Sequence, residues 1–561
     1  MKMRKLFAGL AAAATMLGGL ALGATTANAA VGDVSITPAD ITIQLPEGKA
    51  DLLTNRTGFR FVKLADYVLT EAEGAKSTLE LKTTGNEKVA AAIKAAAKTA
   101  NESKDVTGDP MIWVATNLLD SETSPYAGRL RDFVTSLKDL NKDEFNATVT
   151  ASSAGEPATS ASFTLAEPGL YLVFDNTGKV MFDKDGNVTE NEADAVKSVG
   201  ESIPMLVGTK ITVKEGVAAD DVQIPTTNIN GVVNIKNDIT IVKKNVSQAA
   251  ASIGEEKSYT VEGEVPNWVG KNLDASYYKF RDVLGVGQTI DFTSIKVTVD
   301  GVDGEQAFTL AKPEGVTADT WRANGSNAFE VDLTEVMQTL AVNANTIGKK
   351  VTMTYTTTVN SDALKTRTVG NKVTVYNNGN PATDTTEFPT SEFKFTKVGG
   401  DGATALAGAE FQITKGDATL KFVTQADGSY ALAEAGAEGA SETIVSPTGG
   451  VVKVIGVGAG TYTVTETKSP EGYWDSGLPS FIVTIDDEGK VTMSKDVDLL
   501  GLVTVKDDKT TATVKNVTKI TELPLTGGAG IAMFTVVAML LAGVAGTVFM
   551  KSRSTKRALM A

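Results

Sequence analysis

Apolar and polar residues alternate in short runs along most of the chain. Ile239-Thr-Ile-Val242, Ile295-Lys-Val-Thr-Val299, Val351-Thr-Met-Thr-Tyr355, Val373-Thr-Val375 and Tyr462-Thr-Val-Thr465 are β-branched segments of roughly period two, separated by Gly, Asn and Asp. That pattern predicts half-buried strands. Asp185-Gly186-Asn187, between Val180-Met-Phe182 and Val188-Thr189, predicts a hairpin, as does Asp487-Glu488-Gly489 between Phe481-Ile-Val-Thr-Ile485 and Val491-Thr492. Many short strands at this spacing predict an all-β chain built of β-sandwiches.

Helical periodicity is confined to the N-terminal third. Glu87 to Ala100 consists of strong helix formers behind Asn86, a candidate cap, and Arg129 to Leu140 places Leu130, Phe133, Val134 and Leu137 on one face. Both read as helical insertions in a β-rich domain. Passages rich in Pro, Gly and Asn at 223–231 and 377–386 suggest boundaries. No exact repeat of 20–50 residues occurs, which disfavours a solenoid or propeller.

Composition narrows the chemistry. The 561 residues include no cysteine and no histidine, which excludes disulfides, thiolate nucleophiles, Ser-His-Asp triads and Cys- or His-based metal sites. What remains is carboxylate, lysine, hydroxyl or hard-cation chemistry, and a structural or binding protein rather than an enzyme. Asp183-Lys-Asp185-Gly-Asn187 is suggestive of a calcium loop, but its Gly stands fourth instead of sixth, so a turn is the better reading. No metal and no cofactor is expected.

The termini describe an exported chain. Met1 to Lys5 holds three positive charges, Leu6 to Leu22 is apolar or small, and Ala27-Asn28-Ala29 suits signal peptidase, giving a leader over 1–29. Ile531 to Met550 is uncharged and long enough to span a bilayer, and Lys551, Arg553, Lys556 and Arg557 follow it. Directly before the span stands Leu523-Pro524-Leu525-Thr526-Gly527. This order resembles the cell-wall sorting signal of Gram-positive surface proteins. The resemblance implies that a sortase cleaves between Thr526 and Gly527 and passes the Thr526 acyl group to an amine. Leader and tail contain seven of the 53 basic residues and no acidic one, so the segment between them has 46 bases against 68 acids, a net charge of −22. Such an acidic chain is a poor candidate for nucleic-acid binding.

Lysine, asparagine and carboxylate motifs then recur. Phe395-Thr-Lys397, Leu406-Ala-Gly-Ala-Glu-Phe411, Tyr462-Thr-Val-Thr-Glu466 and Val514-Lys-Asn516 occur in order. They resemble the signatures of a collagen-binding-protein B-type domain with a self-formed isopeptide bond. The resemblance implies that Lys397 joins Asn516 with Glu466 as catalytic carboxyl. Val242-Lys-Lys244, Tyr278-Lys-Phe-Arg-Asp282 and Val369-Gly-Asn371 resemble the fimbrial isopeptide D2 domain, with Asp282 as the carboxyl and Asn371 as the amide. Thr240 and Lys243 replace the usual proline and threonine, so the reacting lysine is Lys244 or Lys243. Strand parity with Val242 and Val246 favours Lys244. Burial would drive such a lysine towards its neutral form and keep the carboxyl protonated.

Taken together, the motifs resemble the backbone pilins of sortase-assembled pili. The implied architecture is tandem immunoglobulin-like β-sandwiches: an N-terminal pilin domain over 30–230, a D2 domain over 231–385, a B-type domain over 386–518 and the sorting signal over 519–561. Glu167-Pro-Gly-Leu-Tyr-Leu-Val173 resembles a strand motif of pilin N-terminal domains, whereas Lys63 fits no isopeptide pattern. Backbone pilins carry their linkage lysine before the second domain, where Lys236-Asn237 stands, with Lys210 and Lys214 in reserve. The implied partners are a pilin-specific and a housekeeping sortase, identical subunits, tip and basal pilins, and peptidoglycan. The implied place is the cell surface, in a wall-anchored pilus or fimbria that supports adhesion, after a transient membrane-held precursor. A wall-anchored adhesin or minor pilin, never polymerised through a lysine, is the other reading. The sequence identifies no host receptor.

Overall fold

The alternating segments pair into sheets throughout the computed structural model, which describes residues 34–45, 52–70, 78–102, 105–118, 127–151, 159–213, 215, 230–312, 322 and 328–523. The leader, Lys214, Pro524 to Gly527 and the Ile531–Met550 segment lie outside these residues. Among the described residues no helix is long and apolar enough to cross a membrane.

In the N-terminal part, strand Gly169–Asp175 lies between Met205–Gly208 and Phe59–Thr70. All seven of its residues are buried, because both of its faces are covered. Leu170, Leu172 and Phe174 share one apolar cluster with the helical residues Ile93, Met111 and Phe133. Tyr171 and Val173 belong to a second cluster with Ile41, Phe61 and Phe163. A strand covered twice needs a continuous apolar run instead of alternation.

The helices form where their caps allow. Asn86 accepts hydrogen bonds from the Lys88 and Val89 amides at the start of Glu87–Ala100. The expected second helix divides into Arg129–Ser136 and a 3₁₀ turn, Lys138–Leu140, and its predicted face of Leu130, Phe133, Val134 and Leu137 is buried. A further helix, Pro110–Asn117, starts on Asp109, whose side chain accepts from the Met111 and Ile112 amides.

Two expected divisions do not coincide with breaks in strand pairing. Beyond residue 230, Val232–Asn234 runs parallel to Ala39–Gln44, and Asn237–Ile241 pairs with Lys197–Ser202. Only with Lys243–Asn245, against Glu256–Glu264, does the chain enter the next sandwich. The passage 377–386, expected to hold a boundary, contains the turn of a hairpin and the first part of its second strand. Thr368–Asn377 pairs with Asn380–Pro389 without a slip, and Asn378 and Gly379 have φ of 50° and 79°, as a two-residue Asn-Gly hairpin turn requires. Pro381 lacks an N–H but sits on an edge strand. Both hairpins predicted from Asp-containing turns are present, with Phe182 opposite Val188 and Ile485 opposite Val491.

The middle sandwich encloses Trp268, Phe280, Phe329, Met353 and Tyr355. In the C-terminal one, Ser391–Val398 lies between Val451–Val457 and Ala512–Lys515 and is parallel to the latter. Its opening and closing strands are therefore neighbours. The parts also contact one another. Thr383 N donates to Ala195 O at 2.6 Å and Ala459 N to Ala250 O at 2.7 Å, while Arg322 pairs with Glu434 at 3.1 Å.

Candidate functional sites

The Lys243–Asn245 strand reads exposed, buried, exposed, so Lys244 enters the core and Lys243 faces solvent. Asp282 comes from the facing sheet, where it stands opposite Val373, two residues from Asn371 on the same face. Lys244 Nζ donates to Asp282 Oδ2 at 2.5 Å and lies 2.7 Å from the Tyr355 hydroxyl. Tyr355 donates to the same Oδ2 at 2.8 Å and accepts from Asn371 Nδ2 at 2.7 Å. Lys244, Asp282 and Asn371 are all buried, and Tyr259 stacks on Tyr355 at 5.1 Å.

Desolvation dominates the electrostatics of this site. It lowers the Lys244 pKa against the pull of Asp282 and raises that of Asp282 against the pull of Lys244. Asp282 Oδ1 and Asn371 Oδ1 have no hydrogen-bond partner. Two unpartnered buried acceptors are costly, and a proton on the Asp282 carboxyl would make one of them a donor.

The C-terminal site repeats the trio on different strands. Lys397 stands opposite Val514 in the parallel pair, which puts Asn516 on its face, and Glu466 comes from the other sheet, opposite Phe411. Lys397 Nζ is 3.5 Å from Glu466 Oε2, with both side chains fully buried, and 3.3 Å from Val514 O. The oxygens of Glu466 and Asn516 Oδ1 make no hydrogen bond. Burial lowers the Lys397 pKa and raises that of Glu466, and each neighbour's charge offsets this only in part.

An ion pair of this kind gives little stability for its desolvation cost. Chemically, a neutral amine beside a protonated carboxyl and an amide can form a new amide. The amine adds to the asparagine carbon, the carboxyl protonates the amide oxygen and relays protons, and ammonia leaves.

Lys236 lies apart from both trios, in the two-residue crossover between Val232–Asn234 and Asn237–Ile241. It is half-buried, and its amine donates to Asn234 O at 3.1 Å. Desolvation, with the positive charge of Arg131 adding to it, lowers its pKa to about 8. Lys210 meets the same region only through its backbone, donating to Asp40 O. Lys63 pairs with Glu167 at 2.6 Å at the surface. Asp183, from the suggested calcium loop, accepts from the Asp185 and Asn187 amides as a turn residue. Leu523, first residue of the Leu523-Pro-Leu-Thr-Gly527 string, is buried with Leu502 and Val517.

Sequence reading missed Tyr355, although its parity with Val351 and Met353 on an alternating strand marks it as a core residue. It also missed the buried pair of Arg56 and Asp175, 2.9 Å apart, for which no motif gives a signal.

Residues 391–497 match the family model of the SpaA prealbumin-like fold domain, within the region expected to be a B-type domain. No curated protein matches the chain. Among solved structures it is similar to the T6 backbone pilin of serotype M6 Streptococcus pyogenes, described as having a modular three-domain structure, at 13% identity over 81% of this chain and 80% of that one, with a TM-score of 0.42. It is also similar to the full-length major pilin SpaD of Corynebacterium diphtheriae, at 20% identity over 64% and 79%, TM-score 0.36. The full-length RrgB pilus protein of Streptococcus pneumoniae matches at 15% identity over 64% and 83%, TM-score 0.34.

Proposed function

We propose that this chain is the shaft subunit of a covalently polymerised surface pilus. After export, a pilin-specific sortase would cleave its sorting string and transfer the Thr526 acyl group to the Lys236 amine of the next copy. Head-to-tail contacts that do not close a ring give an open filament. A housekeeping sortase would then fix the filament to peptidoglycan. In each of two successive sandwiches the chain would also form one internal bond, Lys244 to Asn371 and Lys397 to Asn516, with Asp282 and Glu466 as proton relays. It would act on no external substrate.

The observation that carries this reading is the repetition of one chemical trio. Two sandwiches each bury a lysine, a carboxyl with a raised pKa and an asparagine, in a chain without cysteine that carries Leu523-Pro-Leu-Thr-Gly527 ahead of an uncharged apolar stretch. Covalent lysine bridges would do here what cystine does elsewhere. The SpaA-type domain over 391–497 supports the same reading.

Replacing Lys236 with alanine tests the polymer. Cells carrying the substitution should lose the high-mass ladder of linked subunits and retain wall-anchored monomer. Ladders of unchanged abundance and spacing would rule out linkage through Lys236.

A further inference from the structure

The crossover that bears Lys236 is tied down on every side. Ile235 N donates to Gln44 O at 3.0 Å, and Ile203 N donates to Lys236 O at 3.2 Å. Lys236 N donates to Ser202 Oγ at 2.9 Å. Asn237 Nδ2 donates to Gly200 O at 2.9 Å and reaches Asp175 Oδ2 at 3.3 Å.

A β-bulge sets up this arrangement. Strand Lys197–Ser202 pairs Val199 with Ile239 and then slips, so that Ser202 faces Asn237. A regular ladder would put Glu201 there. The extra residue brings a short hydroxyl to the Lys236 amide instead of a long carboxylate, the kind of re-aiming that bulges perform.

Beneath the bulge lies the buried ion pair. Asp175 Oδ2 accepts from Ser202 N at 2.9 Å as well as from Asn237. Arg56 donates to the same Asp175 oxygen and to the carbonyls of Leu52, Gly178 and Val199. A buried pair is weak evidence for stability alone. Here it is the fixed point from which both residues that hold the crossover are hung.

We propose that Ser202 and Asn237, anchored on the Arg56–Asp175 pair, are positioning residues that present the Lys236 amine to the acyl group carried by another copy. This rests on the reading of Lys236 as the linkage residue. In the step itself, the neutral Nζ adds to the carbonyl carbon of the Thr526 acyl thioester held on a sortase cysteine. The C–N bond forms and the C–S bond breaks. The amine gives up one proton and the departing thiolate takes one up, leaving an amide and a thiol. Neither positioning residue touches the reacting atoms. Both fix the backbone from which a flexible four-carbon stem reaches, and misplacing a nucleophile by about 1 Å can cost about a hundredfold in rate.

The test uses the exported chain as amine acceptor, a labelled LPLTG peptide in excess as acyl donor, and the pilin sortase. Ser202→Ala and Asn237→Ala should each lower kcat about tenfold or more, with the KM for the acceptor chain unchanged, the label still mapping to Lys236 and thermal melting still cooperative. The two residues stand on different strands, so if one variant unfolds the other decides. Full transfer in a folded Ser202→Ala or Asn237→Ala chain, while Lys236→Ala abolishes it, overturns the positioning role alone. Undiminished transfer in Lys236→Ala overturns the linkage reading and the positioning role with it.

Discussion

Lys397, on the first strand of its sandwich, and Asn516, the residue directly after the last, lie on one face of an adjacent parallel pair. A pull along the chain enters at one of these strands and leaves by the other. An amide between the two side chains would carry that load before the strand ladder sheared. Lys244 and Asn371 are held differently, on facing sheets, with Tyr355 between them. The same three groups are thus brought together from two strand geometries, and the proposed bond would need only the trio itself.

Bond formation is read directly by mass. The processed chain should be about 34 Da lighter than its sequence, about 17 Da for each ammonia released as folding holds amine and amide together. Asp282→Asn and Glu466→Gln should each leave one bond unformed over hours, since a positioned acid–base group is worth roughly 10²–10⁴ in rate. Peptide mapping assigns the missing linkage. A mass equal to that of the sequence would remove the covalent reading.

Tyr355 should set the pace at the middle site. Its hydroxyl meets the lysine, the carboxyl and the amide at 2.7, 2.8 and 2.7 Å. Tyr355→Phe keeps the ring stacked on Tyr259 and deletes only that hub. Refolding from denaturant a freshly synthesised, unlinked chain should then give the Lys244–Asn371 bond about tenfold or more slowly, with Lys397–Asn516 unaffected. Equal rates of the first bond in the two proteins would make Tyr355 a packing residue only.

These sites were legible in the sequence to different depths. Parity on a β-branched strand tells which of Lys243 and Lys244 enters the core, because a one-residue shift exchanges core for solvent. The passage 377–386 suggests a boundary and is a hairpin, since the same residues mark linkers and tight turns, and only the strand partners, 3 to 21 residues apart, separate the two. Arg56 and Asp175 lie 119 residues apart and answer to no local period. Their pairing is a product of sheet topology, as is the bulge that turns Ser202 towards Lys236.

The Lys236 amine should titrate well below an ordinary lysine. Its pKa is lowered from 10.5 to about 8 by desolvation and by Arg131. Competitive acylation with a small anhydride, followed by mass spectrometry, should show its reactivity levelling off near pH 8, whereas exposed lysines continue to gain. The sign for stability follows: between about 8 and 10.5 the unfolded chain binds more protons at this group than the folded one does. Its contribution to stability therefore rises with pH across that window. A half-titration near 10.5 would contradict the burial.

Loss of the terminal bond should be costly. A link across the roughly 120 residues from Lys397 to Asn516 constrains the unfolded chain by about 5 kcal/mol, by analogy with a disulfide. Asn516→Ala also leaves Lys397 and Glu466 buried without the bond. Calorimetry should find the C-terminal transition lowered by roughly 15 °C, with the middle one in place. A shift of only a degree or two would mean that the wild-type chain is not linked there.

The Leu523-Pro-Leu-Thr-Gly527 string starts inside the fold. Leu523 is 2% exposed, in a small cluster with Leu502 and Val517 that Trp474 and Leu500 border. Thr518 closes the preceding turn by donating its amide to Glu522 Oε2 at 2.9 Å. A transpeptidase that reads all five residues must contact Leu523, and so must first draw it out of that cluster. Removing a buried leucine from apolar contact costs about 1.5–3 kcal/mol, or roughly ten- to a hundredfold in accessible substrate. The folded chain should therefore acylate the sortase about that much more slowly, at limiting concentration, than a free LPLTG peptide. Leu502→Ala, which empties part of the cluster without altering the string, should recover much of the difference while the domain keeps its cooperative melting. Equal rates for peptide, wild-type chain and variant would show that Leu523 leaves its site at no cost.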